Sequence, residues 1–92
     1  MDGENVRRSR WPNVAPDELE ALCETWSASS GHAVEVVWEG AESADDAIVR
    51  RATELDRYWL VTSDRELRER AGAAAARVVG GGSFLRELLG ER

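Results

Sequence analysis

Lysine is missing from this chain: all twelve basic residues are arginine, set against eighteen aspartates and glutamates. A GC-rich genome explains this more simply than a need for guanidinium chemistry at every site. The net charge of −6 argues against a general coat on nucleic acid, but not against an enzyme that holds divalent cations and meets phosphate locally. Cysteine occurs once, at Cys23, so no internal disulfide can form and a reducing cytoplasm is the expected compartment. Cys23 falls in an apolar helical stripe, which makes it a small core hydrophobe rather than a nucleophile. The single histidine, His32, has no second His or Cys at metal-ligand spacing and is expected to be exposed in a turn. No apolar run approaches the ~20 residues that span a bilayer, and the polar start MDGENVRRSR lacks a signal-peptide core, so no membrane partner is expected.

What remains is an ordinary folding composition, 42% hydrophobic and 33% charged, in 92 residues. That is one domain, 1–92, able to bury roughly 60–65% of its unfolded surface. Leu19, Leu22, Cys23 and Trp26 recur at helical spacing, predicting a helix from Pro16 to about Ala28, with Ser29-Ser30-Gly31 as its stop. VEVVW (Val34–Trp38) reads as a strand. A helix from about Ala44 to Leu55 follows, capped by Ser43 and burying Ile48, Ala52 and Leu55. YWLVT (Tyr58–Thr62) reads as a strand buried on both faces. A capping box at Ser63 and Glu66 opens the next helix, with Leu67, Ala71 and Ala74 inward. ARVV (Ala76–Val79) is a short strand and Gly80-Gly81-Gly82 a turn. Ser83 then caps a last helix carrying Phe84, Leu85, Leu88 and Leu89.

Strict alternation of helix and strand predicts an α/β fold, with a small parallel sheet and right-handed crossovers. Ligands of such sheets bind beyond the carboxyl ends of the strands. Asp2 and Asn5 stand where a first strand would end, although only Met1 precedes them. Glu39, Asp45 and Asp46 follow VEVVW, and Asp64 and Arg65 follow YWLVT. Singly, each Asp in a helix's first turn is explained by the helix dipole. Together, with the hydroxyls of Ser43, Thr62 and Ser63 alongside, they read as one acidic rim. Carboxylates so close repel unless a cation lies between them, and hard oxygen donors suit Mg²⁺ or Mn²⁺. Without a strand behind it, Asp2 is expected to be the least secured of these groups.

The stretches SADDAIVRRA (Ser43–Ala52), LVTSDRELRERA (Leu60–Ala71) and ARVVGGGSFLREL (Ala76–Leu88) resemble, in order, the C-terminal half of an NYN/PIN-like ribonuclease domain. DGENVRRSRWPN (Asp2–Asn13) is similar to the end of that family's first strand and its following loop, most of all in the YacP-like branch. The resemblance implies a PIN-like three-layer α/β/α sandwich, truncated at the first strand, that holds Mg²⁺ or Mn²⁺ and hydrolyses RNA. It makes Asp2, Asp45 and Asp64 catalytic metal ligands, with Asp46 beside them. Asn5, Arg7, Arg8, Ser63 and Arg65 become substrate contacts. Two departures accompany it: the first strand is reduced to Met1, and VVWEG does the work of a longer segment, with Glu39 where an Asp is usual.

The loop RRSRWPN (Arg7–Asn13) reads equally as an RNA grip, arginine on phosphate and Trp11 on a base, or as a solvated loop anchored by its Trp. Trp26, Trp38 and Trp59 lie in regular elements and are expected in or beside the core. The leading expectation is a metal-dependent ribonuclease. The alternatives are a degenerate PIN-like module that binds RNA or a protein without cutting, and a protein whose true start lies upstream. A sheet edge left bare by a lost strand also favours self-association.

Overall fold

The computed structural model describes residues 1–91. Five helices surround a two-stranded parallel sheet: α1 (Gly3–Arg7), α2 (Pro16–Ser30), α3 (Ala44–Ala52), β1 (Trp59–Val61), α4 (Arg65–Ala71), β2 (Arg77–Val79) and α5 (Gly81–Leu88). The mixed α/β class is as expected. None of these helices is long and apolar enough to cross a membrane.

The register pairs Trp59 with Arg77, Leu60 with Val78 and Val61 with Val79. Successive side chains of β1 point to opposite faces. Leu60 enters a core cluster with Ile48, Leu67 and Ala71. Val61 enters the other, with Val6, Leu19, Cys23, Phe84 and Leu85. YWLVT is therefore buried on both faces from Leu60 onward, while Trp59 at its start remains 37% exposed.

The chain's first two residues complete the arrangement. Asp2 N–H donates to the Val61 carbonyl (3.0 Å), Val37 N–H to the Met1 carbonyl (2.9 Å) and Gly3 N–H to the Val37 carbonyl (3.0 Å). Met1–Asp2 thus lies between β1 and the segment VEVVW, bonded to both. That segment is not the strand predicted from its composition. It forms one parallel bridge, Asp2 to Val37, because its neighbour offers only two residues to pair with. Its alternation survives: Val34, Val36 and Trp38 pack on one cluster and Val37 on the other.

Several helix boundaries differ from expectation, for local reasons. The stretch after Asp2 is not a loop but α1, capped by Asp2 itself. Asp64 rather than Ser63 caps α4, its carboxylate accepting from Leu67 N–H (2.9 Å). Ser63 is used elsewhere: its Oγ accepts from Gly81 N–H (2.8 Å) at the start of α5. That borrowed cap lets α5 begin at Gly81, with Gly80 as a cap that has no side chain, so Gly81 and Gly82 are helical and Ser83 is not the cap. Helix α3 ends at Ala52, leaving Leu55 beyond it, and α4 ends at Ala71, leaving Ala74 exposed. Helix α2 stops at Gly31, whose φ of 78° is the left-handed conformation that only glycine adopts without strain. Cys23 is buried, and desolvation pushes its thiol up to about 11, as befits a core residue.

Candidate acidic site

Asp2 sits where three elements meet. Its backbone bonds to Val61 at the end of β1 and forms the bridge to Val37, its Oδ1 caps α1 by accepting from Asn5 N–H (3.5 Å), and its Oδ2 accepts from Thr62 Oγ1 (3.1 Å). It is one of two buried polar residues among those described, the other being Thr62. The expectation that Asp2 would be poorly secured is overturned. A long strand is not needed when two neighbouring backbones, a helix cap and a buried hydroxyl all fix the same residue.

Thr62 extends the construction. It directly follows β1, and its Oγ1 also accepts from Asp64 N–H (3.1 Å), so one hydroxyl bonds the Asp2 carboxylate and the Asp64 backbone. Ser63 N–H donates to Asn5 Oδ1 (2.8 Å), tying α1 to the loop that precedes Asp64. Asp45 enters from the first turn of α3, held beneath by buried Ala44 and Ile48. Glu39 follows the bridge at Val37.

An open cavity of about 680 Å³ is lined by Asp2, Glu39, Asp45 and Asp64, together with Glu4, Asn5, Arg8, Ser9, Ser63 and Gly82. The carboxylates influence one another. Desolvation, and then the charges of Asp64, Asp2 and Glu39, push the Asp45 carboxyl above its ordinary value. Burial also raises Asp2, and the Asp64 charge adds to it, against the opposing Thr62 hydrogen bond.

Of the residues predicted for the site, Asp2, Asn5, Arg8, Ser63, Asp45 and Asp64 line this cavity. Asp46 does not: its carboxylate accepts from Arg70 (2.8 Å) on the exposed side of α3. Arg7 turns away to Glu4 (2.7 Å) and the Val14 carbonyl (3.4 Å). Arg65 is 94% exposed and lies outside the cavity. Adjacent positions on a helix diverge by about 100°, so Asp45 and Asp46 cannot both face one cavity. Thr62 and Glu39 matter more than their sequence signals suggested. A threonine directly after a strand buried on both faces, two residues before an aspartate, is the signal that finds the first.

The donors are all oxygens, a set suited to a hard cation such as Mg²⁺ or Mn²⁺. Among the described residues, no three Asp, Glu, His or Cys side chains are drawn close enough to hold one ion between them.

Trp11 is 85% exposed, so it does not anchor its loop. Arg10 of that loop pairs with Glu91. Trp38 lies against Gly3 and donates through Nε1 to Glu20 (2.8 Å). His32, exposed as expected, stacks on Trp26 with ring centroids 5.6 Å apart. Comparison with protein-family models, with curated proteins and with solved structures finds no match to this chain.

Proposed function

We propose that this chain is a metal-dependent ribonuclease of the NYN/PIN-like class, built as a shortened α/β/α sandwich and working in a reducing cytoplasm. The observation that carries the reading is the convergence of Asp2, Asp45 and Asp64 from three separate elements on one cavity, with Glu39 as a fourth carboxylate. Five acidic side chains line this concave site, Glu4 being paired with Arg7 and Arg8; the remaining four repel one another unless a cation joins them. Mg²⁺ or Mn²⁺ bound there would neutralise charge on a phosphodiester and acidify a water molecule.

The residues divide the remaining work. The Asp2 carboxylate, held by the Thr62 hydroxyl, and the Asp64 carboxylate, held by Leu67 N–H, are fixed before any ligand arrives. Asp45 joins them from the first turn of α3. Arg8 lines the same cavity, paired through Nε with Glu4 (2.9 Å) and 63% exposed, so its remaining donors are open to a substrate phosphate. Trp11 offers a free face to a base.

Cleavage of single-stranded RNA with Mn²⁺ present, compared between the wild type and Asp64→Asn, tests the reading. Asn caps a helix nearly as well as Asp, so the fold is retained while a ligand charge is lost. Activity should fall about 100-fold or more. Wild-type activity in this variant would exclude the proposed site.

A second reading, a module that binds RNA or a protein without cutting, is favoured by the spacing of the acidic side chains: among the described residues, no three are grouped around one point. Calorimetric titration with Mn²⁺ separates the two. A heat signal abolished by Asp45→Asn supports the enzyme, and no signal in the wild type supports the binding module.

A further inference from the structure

Gly80 has an ordinary extended backbone, φ −66° and ψ 148°, which any residue adopts. Its missing side chain is therefore a matter of space rather than of conformation. A Cβ placed there would lie 3.6 Å from Ser63 Oγ, 3.9 Å from Arg68 Nη2 and 3.9 Å from Ser83 Oγ. Three polar side chains thus close on one point from three elements: the loop after β1, the middle of α4 and the first turn of α5. All three residues are exposed, so solvent reaches the point they enclose.

Each group is held or free in a way that suits an incoming anion. Arg68 Nε donates to the Thr62 carbonyl (3.1 Å), which fixes the guanidinium beside the end of β1 and leaves its Nη donors open. Among the described residues Arg68 meets no carboxylate within salt-bridge distance, unlike Arg65 and Arg70 of the same helix. Ser63 Oγ accepts from Gly81 N–H (2.8 Å), so its own proton is free to be donated outward. That bond also occupies the first N–H of α5, so the cluster is built of side chains and not of a bare helix end. A planar guanidinium flanked by two hydroxyls matches the oxygens of a phosphate group. The cluster adjoins the acidic cavity: Ser63 belongs to both, and Gly82 lines the cavity two residues after Gly80.

We propose that Ser63, Arg68 and Ser83 form a phosphate-binding subsite over Gly80, beside the acidic cavity. Its ligand is a phosphate of a nucleic-acid strand, next along from the one that meets the carboxylates. The strand is assigned on the ribonuclease reading, and the phosphate on the three side chains alone. A rim of carboxylates repels the backbone of RNA. A fixed guanidinium one step away supplies the attraction, and so sets which phosphate of the strand reaches Asp2, Asp45 and Asp64.

The test uses the 92-residue protein in EDTA, so that no divalent cation contributes, with dimethyl phosphate and methyl phosphate as probes. Binding is read by NMR from the amides of Gly81 and Ser83 and from the Arg68 Nε–H. Saturable shifts with dimethyl phosphate assign a phosphodiester within a strand, and saturable shifts with methyl phosphate alone assign a terminal phosphomonoester. Arg68→Gln should weaken binding at least tenfold, the scale of one hydrogen bond to a charged group. Gly80→Ala should weaken it as much while keeping the folded circular dichroism spectrum. Its added methyl meets all three neighbours at ordinary contact distance and only fills the space a phosphate oxygen would take. Saturable binding that neither variant weakens would overturn the subsite, and so would the absence of saturable shifts with both probes. RNA cleavage without phosphate binding overturns this inference alone. Phosphate binding without cleavage upholds it and removes the ribonuclease reading.

Discussion

Gly3 is the narrowest point of the architecture, and replacing it tests the packing that holds Asp2. A Cβ built on Gly3 would lie 2.8 Å from two carbons of the Trp38 ring and 3.0 Å from a third. Gly3 is buried, and its N–H donates to the Val37 carbonyl, so the backbone cannot drift without breaking the bridge beside Asp2. Two effects compete in Gly3→Ala. Alanine gains about 0.5–1 kcal/mol of helix propensity, less at the first position of a short helix such as α1. Overpacking against an aromatic ring costs about 1–3 kcal/mol. The clash wins, for a net loss of about 1–2 kcal/mol, which lowers the melting temperature by roughly 4–16 °C in a domain of this size. Thermal unfolding followed by circular dichroism gives the number. The double variant Gly3→Ala/Trp38→Leu should recover part of the loss, because the two sites are coupled through direct contact. An alanine variant as stable as the wild type, with no coupling to Trp38, would refute the packing argument.

Asp2→Asn should stabilise the fold at neutral pH while removing the proposed activity. Burial raises the Asp2 carboxyl above its ordinary 3.8, so the native state binds the proton more tightly than the unfolded chain. Its contribution is therefore most favourable below about 3.8 and declines as pH rises through the raised value. Removing the charge should add on the order of 1 kcal/mol at pH 7, with the advantage gone near pH 3, as urea unfolding across that range would show. A variant less stable than the wild type at pH 7 would mean that the Thr62 hydrogen bond outweighs desolvation. Trp11→Ala should leave the melting temperature unchanged, since the ring is 85% exposed. It should weaken single-stranded RNA binding about fivefold or more, from ~1–3 kcal/mol of stacking. Unchanged affinity in a filter-binding assay would remove Trp11 from the substrate path.

Helices α2 and α3 and the strands β1 and β2 were legible because each carries a local signal: a 3.6-residue stripe, a Ser cap, or an apolar run between polar ends. What escaped was decided by contacts distant in sequence. Ser63 and Glu66 form a correct capping box on paper, yet the Ser63 hydroxyl lies with Gly81, eighteen residues away, and Asp64 caps in its place. No window along the chain contains that competition. The acidic site divides in the same way. Strand-end placement was enough to bring out Asp2, Asp45 and Asp64, because an α/β sheet sends its carboxyl ends to one rim. It could not separate Asp45 from Asp46, since only the position of Arg70 on the neighbouring helix shows which carboxylate turns outward. The largest departure concerns VEVVW. Its composition is that of a strand, but a strand exists only through its neighbours, and here the neighbour is Met1–Asp2. β-propensity describes fitness for a half-buried pleated surface rather than an intrinsic state of the backbone. The same two residues that shorten this strand to one bridge also fix Asp2 from both sides. The feature that made the sequence look incomplete is therefore the one that gives the acidic site its firmest member.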